Sequence, residues 1–163
     1  MRIQRFIGLA VCMGSFAAGA SAQNIHFVFP INGQQAVPQT PSPGLGTGIV
    51  SLIPASNEIV WDISWSGLSG PVTAMHFHGP AGVGATASPQ LNIGMISGLT
   101  SPSIGRAPID PSQAADLVAG LWYVNIHTAQ FATGEIRGQI VPAPGAAGLL
   151  AACGLFTMGR RRC

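Results

Sequence analysis

The sequence predicts an all-β domain, an antiparallel Greek-key sandwich or barrel of about seven strands with one short helix. Three observations predict it. Apolar and polar residues alternate at period two in several short runs, the pattern of half-buried strands. The 22 Gly and 13 Pro among 163 residues fall between those runs as turn formers and argue against a helix-rich fold. Only 7% of residues are charged and none is Lys, so solubility rests on Ser, Thr, Asn, Gln and exposed backbone, a composition suited to turn-rich β structure.

In chain order, residues 1–22 carry the three parts of a secretory signal peptide. These are Arg2 and Arg5, an apolar stretch from Phe6 to Ala18, and Ala20-Ser21-Ala22 as an A-x-A cleavage site. The mature chain is expected to begin near Gln23. Ile25 to Phe29 and Gly48 to Ile53 read as short strands, and the Pro- and Gly-rich segment from Pro38 to Gly48 as the surface loop between them. The clearest strand follows, because Ile59, Trp61, Ile63 and Trp65 share one face while Val60, Asp62, Ser64 and Ser66 share the other. In Val72 to His78, Thr73, Met75 and Phe77 oppose Val72, Ala74, His76 and His78. Leu91 to Ile96 reads as another short strand. Asp110 as N-cap and Pro111 at the first helical position begin the one helix, which Gly120 stops after about Ala119. Trp122, Val124 and Ile126 oppose Tyr123, Asn125 and His127 in a further strand, and Ile136 to Val141 is the last.

The formal charge of +2 is set by the chain ends, where Arg2, Arg5, Arg160, Arg161 and Arg162 lie. Between Gln23 and Gly145, Arg106 and Arg137 stand against Glu58, Asp62, Asp110, Asp116 and Glu135, two positive charges against five negative, a formal −3. That excludes the basic patch a nucleic-acid partner requires. Cys12 lies in the leader and Cys153 and Cys163 in the tail, so the domain of residues 23–141 has no disulfide and depends on packing and sheet hydrogen bonds.

Two separated blocks carry a family resemblance. One is Ala74-Met75-His76-Phe77-His78-Gly79-Pro80-Ala81-Gly82. The other runs from Leu121-Trp122-Tyr123-Val124-Asn125-Ile126-His127-Thr128 through Phe131 to Gly134-Glu135-Ile136-Arg137-Gly138-Gln139-Ile140. With the helix between them, they resemble the CHRD domain first named in chordin, over roughly Val37 to Val141. The resemblance implies an extracellular β module associated with binding, and no reaction. Residues 142–163 resemble a PEP-CTERM sorting tail, with Pro142-Ala143-Pro144 as the short Pro motif, an apolar helix over 146–159 and a basic stop at 160–162. That likeness implies an exosortase-type processing enzyme as partner. The apolar run is shorter than the ~20 residues of a comfortable span, so it suits transient rather than permanent membrane association. The motif's usual glutamate is missing here.

The strand faces bring three histidines into question. If Met75, Phe77, Trp122, Val124 and Ile126 point to the core, then His76, His78 and His127 point away from it, and neighbouring strands would gather all three on one face. An H-x-H pair places two imidazoles ~7 Å apart on one side of a strand. A third from the adjacent strand could complete a set around copper or zinc at ~2.0–2.1 Å per nitrogen. The arrangement resembles the copper side of copper/zinc superoxide dismutases. That family also needs a bridging His, further zinc ligands and a disulfide, for which this chain has only His26 to spare and no Cys in the domain. The plain alternative is that His76 and His127 bond to backbone, Asn125 or Glu135 and lock the sheet. Glu135 and Arg137, at i and i+2, read as ion-pair partners for neighbouring strands, and Gly82 to Ala87 as a turn-rich loop. No catalytic grouping is evident. The expectation is an exported, non-enzymatic binding or structural module of the bacterial cell envelope or extracellular matrix, with an envelope or matrix protein or polysaccharide as partner. The alternative is a copper- or zinc-binding β-barrel protein using His76, His78 and His127.

Overall fold

A computed structural model describes residues 23–142. The segment expected to be a secretory signal, over 1–22, and those expected to form the apolar helix and basic stop of a sorting tail lie outside the described residues. Eight strands form: β1 (Ile25–Asn32), β2 (Leu45–Ile53), β3 (Glu58–Ser66), β4 (Val72–His78), β5 (Pro89–Leu91), β6 (Ser103–Pro108), β7 (Trp122–Thr128) and β8 (Ile136–Ile140). A 3-10 turn covers Gly33–Gln35, and two α-helices cover Ile93–Ser97 (α1) and Pro111–Val118 (α2). All strands belong to one antiparallel sheet in the order β5-β4-β7-β8-β1-β2-β3-β6.

The alternation in β3 explains how the sheet closes on itself. Ile59, Trp61 and Ile63 are fully buried, and so are Met75 and Phe77 on β4, two strands far apart in the sheet order. The sheet curls until the Trp61 and Phe77 rings meet edge to face, their centroids 5.6 Å apart. Phe27, Phe29, Val124, Ile126, Ile136 and Ile140 fill the same interior. Burial of this order, at ~25 cal/mol per Å² of apolar surface, is what holds a domain without disulfides together.

Two readings of the sequence are corrected. Leu91 to Ile96 is not a strand. β5 ends at Leu91, Asn92 then caps α1 by accepting the Met95 N–H at 3.1 Å, and Gly98 ends it at φ +83°. Gly94 lets α1 lie against the Met75 backbone, and Ser97 accepts the Trp61 indole N–H at 3.1 Å, so α1 bridges the open side between β4 and β6. The second correction is β6, where the sequence pattern predicts no element. Gly105 and Pro108 blur its alternation, and it forms by pairing along β3, with Gly105 seated against the Trp61 ring. The count is therefore eight strands and two helices, within the predicted all-β class. The helix placed at Pro111 is present, and Asp110 and Gln113 close a capping box at its start. β2 begins at Leu45 rather than Gly48.

β7 and β8 are buried on both faces except at His127. Loops cover their outer side: Gln35 accepts the Gln139 N–H at 3.0 Å, and Gln139 donates to the carbonyls of Ala81 and Gly120, each at 2.9 Å. The segment between β4 and β5 is thereby drawn over the outer face of the sheet. No helix among the described residues is long and apolar enough to cross a membrane.

Candidate metal centre

β4 and β7 are neighbours, with His76 opposite Asn125 and His78 opposite Tyr123. Because Met75, Phe77, Val124 and Ile126 are fully buried inward, the alternation turns His76, His78 and His127 onto the outer face, as the sequence predicts. Their ligand nitrogens all lie within 4.8 Å of one another. His76 Nδ1 and His127 Nε2 are 3.4 Å apart, close to the ~3.4 Å edge of a tetrahedron built on metal–nitrogen bonds of ~2.0–2.1 Å. The widest separation, up to 4.8 Å, exceeds that edge, so the rings draw closer on binding an ion.

The hydrogen bonds fix which nitrogens are available. His78 Nδ1 lies 2.9 Å from the Ala87 carbonyl, and His127 Nδ1 2.9 Å from the Ala132 carbonyl. A carbonyl only accepts, so each Nδ1 carries the proton and each Nε2 keeps its lone pair. The rings are thus bonded to backbone yet not splayed. His78 Nε2 is buried with no hydrogen-bond partner. The other buried orphan among the described residues is the Trp122 indole N–H, deep in the core. An unpartnered buried acceptor costs about 1–3 kcal/mol, and a cation at His78 Nε2 would remove that cost.

Electrostatics favour the neutral, ligating form of two rings. Burial first, and then the charge of His127, lowers the pKa of His76. For His78, burial again leads the lowering, the bond to Ala87 opposes it, and His76, His127 and Arg137 add to it.

Arg137 and Glu135 correct the remaining expectation. Neither forms an ion pair among the described residues. The Glu135 carboxylate, fully buried, accepts from the hydroxyl of Ser42 at 2.6 Å, from the amide and hydroxyl of Ser69 at 2.8 and 2.6 Å, and from the Thr128 hydroxyl. Burial pushes its pKa up, but these donors outweigh burial and hold it below the ordinary value. Arg137 lies over the Tyr123 ring, 3.6 Å from its centroid, and donates to the carbonyls of Ala85 and Gly82 and to Gln139. Tyr123 also stacks on His78, the planes 8° apart, and accepts the Ala87 N–H at 3.0 Å. Sequence reasoning missed both roles of Tyr123 and Arg137. Their placement on the histidine face was open to the same period-two argument, but the folding of residues 79–88 back over that face was not.

A pocket of about 290 Å³ opens beside the cluster, with His78, His127, Tyr123, Asn125 and Arg137 among its lining residues. His26 lies elsewhere, on β1, bonded to Ser51 at 2.8 Å. Among known protein families, residues 27–140 match the CHRD domain. No curated protein and no solved structure matches the chain.

Proposed function

The chain belongs to the CHRD domain family, and we propose that it is an exported, non-enzymatic binding module that holds one copper or zinc ion on His76, His78 and His127. The observation that carries the reading is the convergence of two lone pairs of fixed tautomer. His78 Nε2 and His127 Nε2, each set by an Nδ1–H bond to a backbone carbonyl, meet the His76 ring on one face. Such second bonds orient ligating imidazoles and raise their basicity. Three neutral nitrogen donors suit zinc and copper, and divalent copper is bound most tightly of the first-row ions. The ring set leaves a fourth position for water or another ligand.

Export rests on residues 1–22, and action in the cell envelope or matrix, beside a protein or polysaccharide partner, on that export together with family membership. Removal of the tail by an exosortase-type processing enzyme, after transient membrane association through that tail, rests on the tail motif alone.

Metal content of the purified full chain, measured by mass spectrometry, tests the reading, with a His76→Ala/His127→Ala double variant beside it. Near-stoichiometric copper or zinc, lost in the variant while the fold survives, is expected. A chain that takes up neither ion, with the variant only less stable, would leave a histidine lock in the sheet.

A further inference from the structure

We propose that the pocket beside the histidines takes a small carboxylate or other oxyanion, held between the Arg137 guanidinium and the open position of the bound ion. The inference rests on the metal reading and names the fourth ligand. Three features of the pocket carry it.

The first is the charge balance. Arg137 is 2% exposed, and its charge is met only by backbone carbonyls, the Gln139 side-chain oxygen and the Tyr123 ring. A buried cation ordinarily has an anionic partner, and none of the domain's five carboxylates lines the pocket. Glu135 is closed off by Ser42, Ser69 and Thr128. A divalent ion on neutral imidazoles would add to this uncompensated positive charge.

The second is the donor set. Thr86 and Thr133 are exposed and line the same pocket as Arg137, so each can turn a hydroxyl donor to a ligand there. Guanidinium and hydroxyl donors around one space suit an oxyanion. The third is shape. The pocket, about 290 Å³, is lined by His78 and His127 together with Arg137, so one small ligand there is within reach of both the ion and the cation. Arg137, Gln139 and His78 hold residues 79–88 beside the pocket through the carbonyls of residues 81, 82, 85 and 87.

The test is titration of the copper(II)-loaded full chain with formate, followed by the copper electron paramagnetic resonance and visible spectra. A saturable spectral change is expected, with formate affinity weakened roughly tenfold in Arg137→Gln at unchanged copper content. The exposed Thr86→Val change, which leaves the packed face intact, is expected to weaken formate severalfold. It decides the matter should Arg137→Gln fail to fold. Copper-loaded protein whose spectra ignore formate, or equal formate affinity in the folded variants and the unaltered chain, overturns the inference alone. A chain that takes up no copper or zinc overturns the metal reading and this inference with it.

Discussion

His76 Nδ1 lies 3.4 Å from His127 Nε2 across the β4–β7 pair, although the two residues are 51 positions apart in the chain. The His127 Nδ1–H is committed to Ala132, so its Nε2 can only accept, and in the metal-free ring set His76 Nδ1–H is the donor. Metal binding at His76 Nδ1 takes the other neutral tautomer, in which that proton has moved to Nε2. The hydrogen bond therefore marks a contact that a cation can take over without rebuilding the sheet.

Single substitutions separate ligands from bystanders. His78→Ala is expected to weaken metal binding by more than the roughly 10–100-fold that loss of an outer hydrogen-bond partner costs, because it removes a donor atom. His26→Ala is expected to leave affinity unchanged, since His26 bonds Ser51 on β1 and β2. Competition against a chromophoric chelator reads both, and equal effects of the two changes would remove the histidine cluster from consideration.

Glu135→Gln is expected to destabilise the domain by about 1–3 kcal/mol. The amide group presents an N–H₂ to hydroxyl and amide donors that now share one carboxylate, Ser42, Ser69 and Thr128, and leaves at least one of them buried without an acceptor. Denaturant unfolding measures it, and an unchanged midpoint would show that the carboxylate ties nothing together.

The same group sets a pH dependence. Its folded pKa lies below the ordinary glutamate value, so the unfolded chain binds a proton first as pH falls. The Glu135 contribution is complete above the unfolded value of ~4.3 and is lost as pH drops from there through the lowered folded value. Thermal unfolding of the metal-free chain between pH 7 and pH 3 is expected to show this loss, and Glu135→Gln to flatten it. Parallel curves for the two proteins would contradict the assignment.

Gly48 on β2 is buried opposite Phe29 on β1, whose ring occupies the space a Cβ would take. Gly48→Ala is expected to cost about 1–3 kcal/mol through overpacking, seen as a lower denaturant midpoint with an unchanged slope. A neutral result would mean that the Phe29 ring moves aside freely.

Local pattern was enough to locate six of the eight strands, because each of them alternates strongly, as β3 does with Ile59, Trp61 and Ile63 buried and Asp62 exposed. It was enough for α2, which Asp110 as N-cap and Pro111 at the first helical position announce. The same alternation placed His76, His78 and His127 on one face, a consequence of period two that needs only β4 and β7 as neighbours. Where the pattern misled, long-range contact overrode it. α1 replaces a strand because Gly94 and Ser97 fit against Met75 and Trp61, and β6 exists because β3 offers it a free edge.

The sequence by itself determined the fold class, the family and the outward direction of each histidine on its strand, since these follow from residue order and period two. Only the tertiary structure decided that β4 and β7 are neighbours, that two of the imidazoles present fixed lone pairs toward the third, and that Glu135 is hydrogen-bonded by hydroxyls and an amide and Arg137 by carbonyls, beside a ring. Those partners, Ala87, Ala132, Ser42, Ser69 and Ala85, sit on loops. Loop paths are set by how the curled sheet packs rather than by any repeating pattern in the chain.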